Sequence, residues 1–493
     1  MSLPYEKQAT RIPCSFVGDD PVQGHHVRDN PRMKAGEPQE NFDVVIVGGG
    51  ISGLTAAYEL EDQNILLLEK DQVPGGAARR KEWNGIKYTL GATNIRIGYE
   101  VELDGRRFDY LTTYFDELGL KWSKIREPTD NYFIEGRRVR DILGEGVREL
   151  PYLPETQAKF KEAWDYLRKL VDSDDCPVIP VEANSQAALA QDQFSLADLL
   201  SRFGLEVKKT ADLLSRSIFG ENSDQVSAFA ALCYLKGEFA DQYAAPGGTA
   251  QITERLQSFL GDRVRSGSIA AGIEQNDETA YVTYLDDEFK PVTVSCKTVI
   301  YAASKHVAPR IFRDLPPEKV RAIRKMRFDA YLLANLFCDD IVYNDSFAAY
   351  FDNAIFTDIV VNDWIAGNQA TGGRQVLSLF CPRGVEGRDE LLSQPCHYWV
   401  SRILQDLDKY GFDTERISGV EICRYGHHFA IPYPGFTTGV REIIAKPQGR
   451  YFFAKDDTQG VPCLESAIWS GMRAAKEVKR KLLGNLNPKA DGQ

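Results

Sequence analysis

Read only for where its apolar residues fall, the chain sets down its first sustained run late. After about forty residues without one, Asp43–Val47 (DVVIV) is short, apolar and β-branched, the pattern of a strand buried on both faces. Leu54, Ala57, Tyr58 and Leu60 then recur at helical spacing, and a second apolar run, Ile65–Leu68, ends on Glu69. Near the other end, Tyr451–Ala454 (YFFA) predicts a strand. A helix follows from Leu464 to Leu483, with Ala467, Ile468, Gly471, Ala474, Ala475 and Val478 on one face. Between Leu153 and Leu235 the spacing is helical in ETQAKFKEAWDYLRKLV, SLADLLSRFG, KKTADLLSRSIFG and VSAFAALCYL. Ala280–Leu285, Val292–Ala302, Tyr331–Phe337 and Gln375–Phe380 instead alternate or run apolar, as strands do.

The first strand and helix are joined by Gly48-Gly49-Gly50-Ile51-Ser52-Gly53. In a dinucleotide-binding unit Gly48 permits the tight turn, Gly50 lets the backbone approach a pyrophosphate, and Gly53 lets helix and strand pack closely. The free N–H groups at the helix start hold the phosphate charge. Glu69 stands 21 residues after Gly48, where its carboxylate can accept from both adenosine ribose hydroxyls and repel a 2′-phosphate. Beyond it, KDQVPGGAARR adds a second glycine turn, Gly75-Gly76, and the basic pair Arg79-Arg80. That suits the longer dinucleotide FAD; a plain Gly-Gly loop with solvated arginines is the competing reading of the segment alone. The loop KDDTQGVPC can bring Asp456 to the ribityl hydroxyls and the start of the last helix to the flavin ring.

At 493 residues the chain exceeds one ordinary core, which predicts two interlocked domains. A net charge of −12 and a pI near 5.2 argue against a nucleic-acid partner. No uncharged run reaches the ~18 residues of a membrane span, and the first forty residues hold no apolar leader, so a cytoplasmic location is expected. Nine cysteines lie scattered with no CxxC pair and no zinc spacing, which predicts free thiols and no metal.

The segments VVIVGGGISGLTAAYEL, LLLEKDQVPGGAARR, APGGTAQITERLQSFLG with RVRSGSIAAGIEQ, and FFAKDDTQGVPCLESAIWSGMRAA together resemble the flavin-containing amine oxidase superfamily. That superfamily includes monoamine and polyamine oxidases, protoporphyrinogen oxidase and phytoene-type desaturases. GHHVRDN (Gly24–Asn30) with GGAARR is most similar to the bacterial spermidine dehydrogenase group. The resemblance implies an α/β fold: a Rossmann-like FAD-binding domain with a parallel sheet, interleaved with an α+β substrate domain, as in amine oxidases and p-hydroxybenzoate hydroxylase. The FAD-binding domain would comprise 41–120, 240–305 and 440–485, the substrate domain 121–239 and 306–439, with an extension at 1–40 and a tail at 486–493. FAD contacts are expected from Gly48, Gly50, Ile51, Ser52, Gly53, Glu69, Lys70, Gly76, Ala77, Arg79, Ile269 (its backbone at the adenine), Asp456 and Glu465.

The implied reaction is hydride transfer from a small organic substrate, an amine first, to flavin N5, with oxygen or another acceptor taking the electrons. Desaturation of a C–C bond and a flavin-dependent isomerisation are the alternatives, and a homodimer is a further expectation. Three departures from the family bear on this. Its lysine beside N5 aligns with Arg310, which cannot give up a proton; Lys305 is the lysine close by. One wall of the family's aromatic cage falls on Cys463, and the other is sought among His428, Phe429 and Tyr433 of GHHFAIPYPGF. The family's Gly-Asp before the flavin is Lys455-Asp456, so the turn either needs no glycine geometry or is altered. Arg310, His428, Tyr433 and Cys463 are therefore the candidate catalytic residues. His427-His428 also reads as a strand-end pair with one ring packed, and His25-His26 as a surface loop.

Overall fold

The computed structural model describes residues 4–93, 95, 101–103, 106–125, 128–239, 243–244, 248–365 and 372–486. The first three residues of the APGGTA segment lie outside the described residues. The chain forms two compact units. One comprises Asp20–Arg79, Ala250–Met326 and Thr437–Gln493, the other Met1–Asp19, Arg80–Thr249 and Arg327–Phe436.

In the first, a parallel sheet runs in the order Val264–Arg265, Ile65–Leu68, Glu40–Val47, Pro291–Tyr301. Val44, Val45 and Ile46 are fully buried, which is why this stretch reads as unbroken apolar sequence. Pro291–Tyr301 pairs antiparallel with Ala280–Leu285 along its first half. Its last three residues align parallel with Tyr451–Phe453. Ile269–Gln275 completes an antiparallel meander beside Ala280–Leu285. The helices Ile51–Glu59 and Leu464–Leu486 pack so closely that a β-carbon on Gly471 would lie 2.4 Å from the Ser52 carbonyl oxygen.

The other unit holds an eight-stranded sheet. Its order is Cys14–Gly18, Ile417–Tyr425, Ala330–Cys338, Gln375–Gly384, Asp358–Val361, Ala348–Phe351, Asp130–Ile134, Arg137–Arg140. Strand alternation gives it two faces. Leu332, Ala334, Leu336, Leu377, Leu379 and Ile422 pack with Trp399, Ile403, Leu404 and Leu407 of the helix Cys396–Lys409. Each of those large helix side chains stabilises the unit by about 1.5–3 kcal/mol through burial. The opposite face presents Tyr331, Leu333, Phe337, Val376, Phe380, Cys423 and Tyr425, with Ile86, Tyr88 and Leu90 against it.

Several expectations shift. Within the expected extension, Cys14–Gly18 joins the eight-stranded sheet in parallel with Ile417–Tyr425. The residues from Arg80 onward group with the eight-stranded unit, where Lys81 pairs with Glu421 at 2.6 Å. SLADLLSRFG breaks into the helix Leu196–Leu200 and a 3₁₀ turn, Ser201–Phe203. His25 and His26 lie on the helix Pro21–Asp29 and not in a surface loop; the His26 ring stacks on Phe289 at 3.8 Å. Among the described residues no helix is long and apolar enough to cross a membrane, and no His, Cys, Asp and Glu side chains group as a metal site.

Candidate active site

The parallel-sheet unit builds a cradle at the end of the strand Glu40–Val47. Gly50 caps the helix Ile51–Glu59 in extended conformation with no side-chain cap, so the first N–H groups of that helix face outward for a ligand. The glycines around it differ in what they leave open. A β-carbon on Gly53 would lie 1.9 Å from the Gly48 carbonyl oxygen, and one on Gly49 would lie 2.8 Å from Glu69 Cβ. A β-carbon on Gly50 would meet nothing within 4 Å. The space left is where a pyrophosphate can approach the backbone. Ile51 and Ser52 are buried in the first helical turn, and Ser470 Oγ donates to Ser52 Oγ at 3.2 Å.

Glu69 ends the second strand almost wholly buried. Burial pushes its carboxyl above the usual range, against the N–H groups of Asp71 (2.9 Å) and Gly49 (2.6 Å) that donate to it. The second glycine turn docks on the first: Gly75 N–H donates to the Gly49 carbonyl at 2.7 Å. Arg79 Nε donates to the Gly76 carbonyl at 2.8 Å, and Ala77 lies between them, half-buried. The Arg79 guanidinium and the Lys70 ammonium flank Asp71 at 3.1 and 2.8 Å. Ile269 begins its strand in register with Leu285, its side chain buried. An uncapped helix start, a carboxylate at the strand tip and two tethered cations fit a dinucleotide.

The C-terminal loop carries the next group of candidates. Asp456 begins the 3₁₀ turn Asp456–Thr458, and Glu465 is buried in the first turn of the helix Leu464–Leu486, where its charge favours the positive helix end. Cys463 stands just before that helix. Its sulfur accepts from Ser466 N at 3.5 Å, its thiol lies 3.3 Å from Ser466 Oγ, and burial pushes the thiol well above its usual range.

Three expectations are corrected here. Lys455 has φ +102°, so this turn does require glycine-like geometry although a lysine occupies it. Arg310 is exposed, because the four-residue helix Ala308–Ile311 turns Ala308 and Ile311 inward and leaves Arg310 outside. Its backbone carbonyl accepts from Arg32 N at 2.7 Å. Lys305 is fully buried with its ammonium engaged, donating to the Ala454 carbonyl at 2.6 Å and paired with Asp457 at 3.2 Å. Burial pulls Lys305 down and pushes Asp457 up, each opposed by attraction to the other.

In the eight-stranded unit, His428 sits in the turn after the strand Ile417–Tyr425, its N–H donating to the Asp329 carbonyl at 2.9 Å. Its ring is surrounded by Phe429, Tyr331 and Tyr425, with centroids at 4.5, 5.1 and 5.1 Å. The Tyr425 hydroxyl donates to the Leu90 carbonyl at 2.7 Å. Burial raises the Tyr331 phenol well above its usual range and lowers the neighbouring His427 to about 4. Tyr433 packs edge-on against Phe436 at 5.5 Å. On the strand Asp358–Val361, burial pushes Asp358 up to about 7 although Thr357 Oγ1 donates to it at 2.7 Å. An acid inside the apolar run TDIVV was the sequence signal for that residue. The Lys305–Asp457 pair had none, being 152 positions apart.

Comparison with known proteins places this arrangement. The profile of the family "Flavin containing amine oxidoreductase" matches residues 51–479. An oxidoreductase from Serratia, PigB, is 24% identical over 519 residues, covering 91% of this chain and 76% of that protein. Amine oxidase [flavin-containing] A of Bos taurus is 24% identical over 512 residues, covering 93% and 88%. Among solved structures, putrescine oxidase bound to putrescine superposes with a TM-score of 0.68 at 18% identity, over 89% of this chain and 99% of that one. Cyclohexylamine oxidase from Brevibacterium oxydans gives 0.65 at 19%, over 90% and 99%. These likenesses fix the fold as that of the FAD-dependent amine oxidases.

Proposed function

The chain belongs to the flavin-containing amine oxidoreductase family and is an FAD-dependent oxidoreductase, and from that premise we propose that its substrate is an amine, oxidised at the carbon beside nitrogen. The chemistry FAD supplies is acceptance of a hydride at N5, with the electrons passed on to oxygen or another acceptor. We assign its adenosine end to Glu69 and the backbone of Ile269, its pyrophosphate to Gly48–Gly53 with Arg79, and its ribityl chain to Asp456.

The observation that carries the amine reading is the aromatic packing around His428. An amine must lose its proton before it can release a hydride, because the nitrogen lone pair stabilises the positive charge that develops. A cation or an aqueous lining would work against that. The rings of Tyr331, Tyr425 and Phe429 offer apolar walls, and Tyr331 and His427 stay uncharged at neutral pH. Desolvation there shifts a bound ammonium toward the free base. The names of the relatives, several of them amine oxidases and one an L-amino-acid oxidase, support the same class.

The test is anaerobic mixing of the holoprotein with a panel of primary, secondary and poly-amines while following oxidised-flavin absorbance. At least one amine should bleach the flavin, faster as pH rises and the free base accumulates. A flavin that no amine reduces, yet that a compound with a saturated C–C bond does, would replace this reading with desaturation. Conversion of a substrate with no acceptor consumed would replace it with isomerisation.

A further inference from the structure

Among the described residues six that are not glycine have positive φ, and five of them, Arg32, Asn84, Glu135, Asp141 and Phe289, lie between 47° and 58°. That is the left-handed helical region, which side chains visit at moderate cost. Lys455 is different. Its φ of +102° and ψ of 153° put it in a region essentially reserved for glycine. The strain is not a frayed end. Lys455 N–H donates to Ser470 Oγ at 3.0 Å, and its carbonyl accepts from Thr458 N at 2.9 Å and Thr458 Oγ1 at 2.8 Å. Glycine would adopt the same turn without that cost, so the backbone gives no reason for a lysine.

The side chain does. Its ammonium lies 2.7 Å from the Asp456 carboxylate, with both side chains largely buried, and Lys305 and Asp457 stand beside them as a second pair. The four charges cancel. Without Lys455 the group would carry a net negative charge, which would repel a diphosphate. One hydrogen of the ammonium is spent on Asp456, and two remain to donate.

We propose that Lys455 is an FAD-binding residue whose ammonium, held on Asp456, donates to the ribityl–diphosphate segment of the cofactor. The strain is tolerated because the side chain is used. This rests on the assignment of Asp456 to the ribityl chain and is independent of which substrate is oxidised.

Two variants separate backbone from charge. Lys455→Gly removes both strain and ammonium; its apoprotein should melt at a higher temperature than that of Lys455→Met, yet bind FAD at least tenfold more weakly than wild type in titration by flavin fluorescence quenching. Lys455→Met keeps the strain and loses the charge; it should weaken FAD by a similar factor with no gain in melting temperature. An unchanged FAD Kd in Lys455→Met, with Asp456→Ala tenfold weaker, overturns the role of the lysine and leaves the cofactor's placement standing. An unchanged Kd in Asp456→Ala as well overturns both. A Lys455→Met apoprotein that is destabilised but binds FAD as tightly as wild type reduces the residue to a structural counter-charge.

Discussion

In the parallel-sheet unit, Lys305 and Asp457 are both fully buried and 3.2 Å apart, Lys319 directs its buried ammonium at the carbonyls of Ile444 and Lys446, and Glu69 accepts two backbone N–H groups. In the eight-stranded unit, Asp358 is pushed to about 7, His427 drops to about 4 and the Tyr331 phenol rises, each chiefly through burial. Burial works against charge in both units; the first sets partners against it, whereas in the second it is left largely unopposed. The first arrangement suits a site that must grip a charged cofactor, and the second suits a site where a substrate sheds its proton. A unit's chemistry is thus visible in how it treats ionisable groups, not only in which ones it holds.

The sharpest way to break this contrast is Lys305→Met. It strands Asp457 without its partner, and unfolding by urea should show a loss of about 3–5 kcal/mol. Adding Asp457→Leu should recover most of it, since a buried pair is often replaceable by apolar side chains of similar size. A single variant that loses almost nothing would mean the pair is not what holds that loop. Next in size is Glu69→Lys, which replaces the carboxylate proposed to accept from the ribose hydroxyls by a positive charge. FAD affinity should fall by about 2–4 kcal/mol, read as flavin lost on gel filtration. Full occupancy in that variant would move the adenosine site elsewhere.

Asp358→Asn sharpens the other half. A carboxyl raised to about 7 holds its proton in the folded chain after the unfolded chain has released its own. Its contribution to stability is therefore intact below pH 4 and is lost as pH climbs to 7. The asparagine variant has no such loss, so its stability relative to wild type, read from thermal unfolding, should rise between pH 5 and pH 8 by about 1 kcal/mol or more. Equal melting curves at both pH values would show that Asp358 is hydrated and ordinary.

Legibility follows the same division. The strand Ile65–Leu68 and the strand Ala280–Leu285 were readable to the residue, because a buried strand between turn residues leaves a pattern that needs no distant partner. The glycine cradle was readable for the same reason: its parts lie within 30 positions. Cys14–Gly18 was not, since an edge strand of five half-buried residues acquires its meaning only from Ile417–Tyr425. Arg310 misled because alignment fixes a position along the chain, whereas a four-residue helix decides which way its side chain turns. Lys455 carries no mark in sequence beyond its unexpected identity; the backbone angle that makes it matter is set by Ser470 and Thr458.

That first strand has a consequence for how the molecule comes into being. Cys14–Gly18 leaves the ribosome about 400 residues ahead of Ile417–Tyr425, the neighbour it hydrogen-bonds to. At typical synthesis speeds of ~5–20 residues per second, it waits on the order of 20–80 s with its edge unpaired. The parallel sheet waits similarly for Tyr451–Phe453. Each unit keeps a strand edge open until its late strand emerges, a period in which a nascent chain can pair with the wrong partner. The yield of folded protein should depend on temperature and chaperone supply during synthesis far more than the stability of the finished molecule would suggest.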